Sequence, residues 1–377
     1  MSTENKSATS LLTYPVLHYT KPMKFAQGNF GQIFHAYEIN KGLDIAIKIE
    51  NRGPGSYPTL KNEVKILEKL KGVSGVPEVL YFSKEEAYSI LIMPLYGQNL
   101  KEKILKSVHF SAYDAVVLTK NVLEIVEKVH AKNIIHRDLK PANVLFSSDE
   151  KSQVLIDFGL STFYKNEEGE HLPDGSTKQF VGNMRFGSIN SHFFKEMSRK
   201  DDLESLIYML IYFLKKKLPW DGIDIKENRL KIKEIGKLKV LLDYSKVFEG
   251  LPDELRAFCQ YIRKLKFDED PDYNYLKNLL SKSETILKTK FIDLPNENKL
   301  AKMTNSDPAE NVIKFNTFNS KKVLKNNTQT EENKPTKDES NLRLEDSICF
   351  FLSDQYKFSK QVVFQNPFSS KKSKIFH

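Results

Sequence analysis

Hydrophobic residues change period along the chain. Between Lys24 and Ile49 they come as strand-like runs: Phe25, then Ile33-Phe34-His35-Ala36-Tyr37, then Asp44-Ile45-Ala46-Ile47-Lys48-Ile49 with β-branched residues alternating. Asn40-Lys41-Gly42 reads as the turn between the last two, and Arg52-Gly53-Pro54-Gly55-Ser56 breaks the sheet. Thr59 to Leu70 then carries Leu60, Val64, Leu67 and Leu70 on one helical face, with Gly72 after its end. Residues 79–93 give two more strand-like runs, the second being Tyr88 to Met93. After Pro94 the pattern turns helical. Ser111 to Lys132 has Val116, Val117, Val122, Leu123, Ile125, Val126 and Val129 at helical spacing, and Asp201 to Leu214 is apolar on nearly every side, as in a helix buried all round. A strand-rich part and a helical part joined near Met93–Gly97 predict two lobes with a cleft between them, a place that ligands favour.

Beyond about Asp293 the texture shifts to Asn, Lys, Ser and Thr, as in NNTQTEENKPTKDES at 326–340. Such a stretch has too few apolar groups to offset the entropy of ordering, so residues 294–377 are expected to be a mostly disordered tail. Phe350-Phe351 and Phe364 through Phe368 are its candidates for docking. Residues 1–17 are small and polar and read as a flexible leader. The expected folded unit is 18–293, divided into an N-lobe of 18–95 and a C-lobe of 96–293. Composition adds exclusions. Cys259 and Cys349, the two cysteines, exclude a disulfide framework and a multi-cysteine zinc site, and they fit a reducing compartment. The run around Leu206 to Leu214 is too short to span a bilayer, and MSTENKSATS lacks the basic and apolar stretches of a secretory signal. Cytoplasm or nucleus is therefore expected. Lys plus Arg exceed Asp plus Glu by 58 − 49, or +9, which favours anionic partners. The surplus is spread over body and tail, so no nucleic-acid arm is indicated.

The strongest chemical signal is His136-Arg137-Asp138-Leu139-Lys140-Pro141-Ala142-Asn143, followed by a strand ending in Asp157-Phe158-Gly159. In content and order these match the catalytic and metal-binding loops of protein kinases. Asp138 would accept the hydroxyl proton of the substrate, while Asn143 and Asp157 would offer oxygens to Mg²⁺ on the nucleotide phosphates. Lys140 can reach the transferred phosphate, and a lysine there resembles serine/threonine rather than tyrosine kinases. Ala26-Gln27-Gly28-Asn29-Phe30-Gly31 resembles the glycine-rich loop over ATP, whose glycines at Gly28 and Gly31 let backbone N–H groups approach phosphates. Two glycines in a hairpin explain that stretch equally well alone. Ala46-Ile47-Lys48 in the next strand breaks the tie, and Glu63 lies on the inner face of the following helix, where it can pair with Lys48.

Gly182-Asn183-Met184-Arg185-Phe186-Gly187-Ser188-Ile189-Asn190 stands where most kinases carry Ala-Pro-Glu. With Ser198 to Leu206, Leu218-Pro219-Trp220, Phe267 and Pro271 to Leu276, it resembles the casein kinase I family, from about Tyr19 to Leu287. The resemblance implies an α+β, bilobal protein-kinase fold, with a small β-rich N-lobe and a larger helical C-lobe. It implies a monomer that uses ATP and Mg²⁺ to phosphorylate Ser or Thr in proteins, acidic or already phosphorylated before the target. By it Ile33 and Ala46 line the nucleotide site, Met93 backs the adenine pocket, and Pro94 and Tyr96 offer a carbonyl and an N–H to the adenine edge. Arg185 and Lys231, with Arg229 nearby, would bind the substrate's anion, although Arg185 as a structural partner of an activation-segment carboxylate is the alternative. Asp202 would brace the catalytic loop. Three positions depart from the family pattern. Ala26 replaces a glycine, Ala142 an acidic residue, and Asn183 a threonine that bonds the catalytic aspartate; slower activity is the expectation. A pseudokinase acting as a scaffold and a vaccinia-related-kinase-like enzyme are the alternative functions. The tail is further expected to be autophosphorylated and to occupy the Arg185/Lys231 site.

Overall fold

The computed structural model describes residues 18–28, 31–52, 59–107 and 110–292, so the expected leader and tail lie outside the described residues. The chain opens with β1 (Met23–Gly28), β2 (Gly31–Glu38) and β3 (Leu43–Asn51), followed by helix α1 (Leu60–Lys69), β4 (Tyr81–Lys84) and β5 (Tyr88–Pro94). These strands form one antiparallel sheet in the order β1-β2-β3-β5-β4. Alternation decides its two faces. Phe34, Ala36, Ile45, Ile47, Ile90 and Ile92 form a buried cluster on one face, which turns Ala46 and Lys48 to the other. In the register, Ile33 lies opposite Lys48 and Ala46 opposite Met93. The sequence-predicted strands and the first helix are all present.

Helix α1 buries Leu60, Glu63, Ile66 and Leu67 along one stripe. Its cap residue Thr59 makes no side-chain capping bond. The cap comes instead from β3. The Glu50 carboxylate accepts hydrogen bonds from Thr59 N–H (2.6 Å), Thr59 Oγ1 (2.9 Å) and Leu60 N–H (3.1 Å). These are groups that a helix start leaves without intrahelical partners.

The second part holds α2 (Leu100–Lys106), α3 (Ala112–His130), β6 (Ile134–Ile135), β7 (Val144–Phe146), β8 (Gln153–Leu155) and β9 (Thr162–Phe163). Helices α4 (Ile189–His192), α5 (Arg199–Lys215), α6 (Asn228–Val240), α7 (Tyr244–Val247), α8 (Asp253–Lys264) and α9 (Tyr273–Ile292) follow. The capping box of Ser111 and Asp114 starts α3, which packs on both α5 and α9. Every residue of α5 from Arg199 to Phe213 is buried, in accord with its all-round apolar pattern. One continuous core joins α1, α3, α5, α8 and α9. Two ribbons set into this part pair β6 with β9 and β7 with β8. They bring the 136–143 and 156–161 loops side by side. The chain is thus a mixed α+β molecule with a β-sheet N-terminal region and a helical C-terminal region. Among the described residues no helix is long and apolar enough to cross a membrane.

Candidate active site

The loop after β6 is held from below by Asp202 on α5. Its Oδ2 accepts the His136 N–H at 2.6 Å and its Oδ1 the Arg137 N–H at 2.8 Å, so two consecutive amides are fixed by one buried carboxylate. His130 Nε2 lies 2.9 Å from the same carboxylate, and its Nδ1 lies 2.5 Å from the Tyr273 hydroxyl. Burial alone would raise the Asp202 carboxyl; the bonds from His130 and from the His136 backbone overcome it and hold the group below its ordinary range. Arg137 has φ 67°, a left-handed conformation that a non-glycine residue keeps only where its surroundings enforce it. Gly182 packs against this turn so closely that a Cβ would stand 2.5 Å from the Arg137 carbonyl oxygen.

On this frame Asp138 is 6% exposed. Lys140 Nζ donates to its Oδ2 at 2.5 Å, and Asn143 Nδ2 donates to its backbone oxygen at 3.0 Å and to Oδ2 at 3.1 Å. Its other oxygen, Oδ1, is buried with no hydrogen-bond partner. Burial raises the Asp138 carboxyl above its ordinary range against the opposing pull of Lys140. His136 accepts the Asp138 N–H at Nδ1 (3.2 Å), which leaves Nε2 to donate to the Ile156 carbonyl at 3.1 Å.

Across the crevice, Lys48 on β3 donates to Glu63 Oε2 on α1 at 2.7 Å and to Asp157 Oδ1 at 3.0 Å. Three side chains widely separated in sequence therefore meet at one ammonium. Burial would lower the Lys48 ammonium, but the two carboxylates outweigh it and raise it above its ordinary value. For Asp157 burial acts upward; Lys48 prevails and holds the carboxyl low. Asp157 has φ 67° and ψ 66°, the second left-handed residue of the site. The turn it begins is tied down. Asn62 on α1 donates to the carbonyls of Gly159 (3.0 Å) and Ser161 (2.9 Å), Arg137 Nε donates to the Leu160 carbonyl (2.6 Å), and Ser161 Oγ donates to the His136 carbonyl (3.2 Å).

Asn143 Oδ1 and Asp157 Oδ2 take part in none of the hydrogen bonds among the described residues, so two hard oxygens remain for a cation. Among the described residues no cluster of three or more His, Cys, Asp or Glu could hold a metal. Mg²⁺ is usually bound by one or two carboxylates together with phosphate oxygens and water, so the Asn143 and Asp157 oxygens fit a share of such a shell.

The expected nucleotide residues lie on or next to the strands of the sheet that carries Lys48. Gly28 at the end of β1 pairs with Gly31 at the start of β2, and Ala26 lies opposite Ile33. A Cβ on Gly31 would lie 2.0 Å from the Ile49 carbonyl oxygen, so only glycine fits. Met93 is buried beside Ala46 at the end of β5. Beyond it the Leu95 N–H bonds the Asp44 carbonyl and the Gly97 N–H bonds the Phe146 carbonyl. The Pro94 carbonyl and the Tyr96 N–H are outside these two bonds, and they are the pair expected at the adenine edge.

The Gly182–Asn190 segment is pinned from several elements. Asn183 Oδ1 accepts the N–H groups of Arg185 (2.9 Å) and Phe186 (3.3 Å); it turns along its own segment and makes no hydrogen bond to Asp138. Glu204 on α5 accepts the Ile189 N–H at 3.2 Å and pairs with Arg263 on α8 at 3.4 Å. Lys239, wholly buried on α6, donates to the carbonyls of Met184 (3.1 Å) and Gly187 (2.5 Å) and meets His192 Nε2 at 2.9 Å. Arg185, expected at the substrate's anion, holds a carboxylate of this chain while its side chain stays partly exposed. Its Nε and Nη2 make a two-pronged pair with Asp221, at 2.6 and 2.5 Å. Arg229 is exposed, Lys231 half-buried, and neither has an ion-pair partner among the described residues.

Sequence reasoning missed Glu50, Lys239 and Asp221. Glu50 had a signal, since it shares the strand face of Lys48 by period two. Lys239 had none, because a lysine in a lysine-rich amphipathic helix reads as solvated.

Residues 19–269 match the family described as Protein kinase domain. The chain is similar to Casein kinase I homolog 2 of Schizosaccharomyces pombe, 35% identical over 269 residues, which cover 70% of this chain and 62% of that protein. It is also similar to Casein kinase I homolog 1 of the same organism, 34% identical over 272 residues, covering 71% of this chain and 61% of that protein. The matched region thus spans somewhat under two thirds of the length of these relatives.

Proposed function

The chain belongs to the protein kinase family, and from that premise we propose that it transfers the γ-phosphate of ATP to serine or threonine of protein substrates, as a kinase of casein kinase I type. The single observation that carries the reading is Asp138. Its Oδ1 is buried and unpartnered while its Oδ2 is engaged by Lys140 and Asn143, which is the arrangement for accepting one incoming hydroxyl proton.

Lys48, held by Glu63 and Asp157, presents a fixed ammonium to the nucleotide phosphates. Lys140 stands where charge develops on the transferred group. Asn143 and Asp157 would hold Mg²⁺, which supplies Lewis-acid neutralisation of the phosphates when bound. The Pro94 carbonyl and Tyr96 N–H would receive the adenine edge, and Gly28 and Gly31 admit the phosphates close to the backbone. For the substrate, Arg185, Arg229 and Lys231 would supply the cations that acidic or phosphate-primed sequences call for. The similarity to casein kinase I homologs supports this choice of substrate class.

The test is incorporation of labelled phosphate into casein and into a phosphoserine-primed peptide. Asp138→Asn should lower turnover by about 10²–10⁴-fold, with ATP binding kept. Equal incorporation by both proteins would refute the role of Asp138.

A further inference from the structure

Arg185 is expected to meet the substrate's anion, yet an anion of this chain already fills its fork. Asp221 follows α5 in the turn Leu218-Pro219-Trp220-Asp221. Its Oδ1 takes Arg185 Nε at 2.6 Å and its Oδ2 takes Nη2 at 2.5 Å. That is the planar two-point match by which a guanidinium also holds a phosphate. The site is neither deep nor sealed: the Arg185 side chain is 33% exposed and that of Asp221 25%.

We propose that Asp221 is a built-in competitor for the substrate's anion at Arg185, so that Arg185 becomes available only to a group able to displace a carboxylate. The proposal rests on the reading of Arg185 as a substrate-facing cation. A carboxylate from an acidic substrate carries the same single charge as Asp221 and arrives from solution, whereas Asp221 is tethered at high effective concentration. A phosphoserine brings about −1.5 to −2 charges and three acceptor oxygens, and it wins where a carboxylate does not. Arg185 then discriminates primed from merely acidic sequences, and Arg229 and Lys231 are left to attract both kinds.

The surrounding contacts let the charge of Asp221 be removed while the hydrogen bonds that shape this corner are kept. The guanidinium carbon lies 4.7 Å from the centre of the Tyr212 ring and 5.4 Å from that of Phe186. The Arg185 backbone is fixed independently, its N–H by Asn183 and its carbonyl by Trp220 Nε1 at 2.8 Å. The turn itself closes through the Leu218 N–H on Asp221 Oδ2 at 2.7 Å and the Asp221 N–H on the Leu218 carbonyl at 3.0 Å. An asparagine at 221 keeps an oxygen for the Leu218 N–H while removing the charge that competes.

Binding by the full chain decides the matter. Fluorescence anisotropy with a labelled peptide carrying phosphoserine before the target serine should show at least fivefold tighter binding to Asp221→Asn than to wild type. The gain should vanish in Asp221→Asn/Arg185→Gln. Unchanged or weaker binding by Asp221→Asn, at an unchanged melting temperature, would overturn the proposal. If Asp221→Asn melts well below wild type, Asp221→Ser is measured in its place. Should that variant melt low as well, Asp221 is a structural pin and the proposal fails. Because binding needs no turnover, failure here is separate from failure of the phosphate-transfer assay.

Discussion

Asp138 sets the acid limit of the reaction proposed here. Its carboxyl must be ionised to take a proton, and burial raises it above the ordinary value near 4. Activity should therefore fall as pH drops through a midpoint higher than that of a solvated aspartate. Lys140 opposes the shift from 2.5 Å away. Lys140→Met should lower kcat and also move the acid limb of kcat/KM to higher pH. A pH–rate profile with reduced kcat but an unmoved midpoint would count against that coupling. At this scale the sequence was most legible, because Asp138, Asn143 and Asp157 sit in ordered motifs whose chemistry dictates residue type and spacing. It was least legible where a side chain finds its partner far away. Arg185 was readable as a cation, but Asp221 lies 36 positions on and carries no local mark of the pairing.

Helix α1 is the element on which the crevice turns, since it carries both Glu63 and Asn62. Its start is capped by Glu50 from β3, the strand that carries Lys48. Strand and helix are thereby joined at two points, one at Glu50 and one at the Lys48–Glu63 pair. Glu50→Ala should cost about 1–2 kcal/mol of stability, as loss of a cap does, and should reduce kcat about tenfold by loosening Glu63. Glu50→Gln, which keeps an acceptor, should restore most of both. Thermal melting and steady-state kinetics on the pair of variants would show it; equal kinetic defects in the two would refute capping as the cause. The long elements were legible because α1, α3 and α5 declare their buried faces over several turns. The ribbons β6–β9 and β7–β8 were not, because strands of two or three residues are too short to show a period and exist only through tertiary pairing.

The molecule as a whole carries an acid sensitivity at a point remote from Asp138. His192 is buried beside Lys239, and both effects push its imidazole down to about 3 from an ordinary 6.5. Below pH 6.5 the unfolded chain takes up a proton that the folded chain refuses. Stability from this site is therefore present above about 6.5 and lost as pH falls toward 3, by about 2 kcal/mol at pH 5. His192→Gln removes this titration, so the difference in melting temperature between wild type and variant should narrow between pH 7.5 and pH 5. A constant difference would refute it. The two-part architecture was legible from the change of hydrophobic period at Pro94, whereas the Lys239 anchor was hidden among the other lysines of α6. The turn from Phe158 to Ser161 has a consequence for pharmacology. It is bonded to Asn62, Arg137 and His136, and the aspartate before it is bonded to Lys48. Inhibitors that require this turn to swing outward must break all of these bonds and lose affinity accordingly, while compounds shaped to the crevice as it stands incur no such penalty.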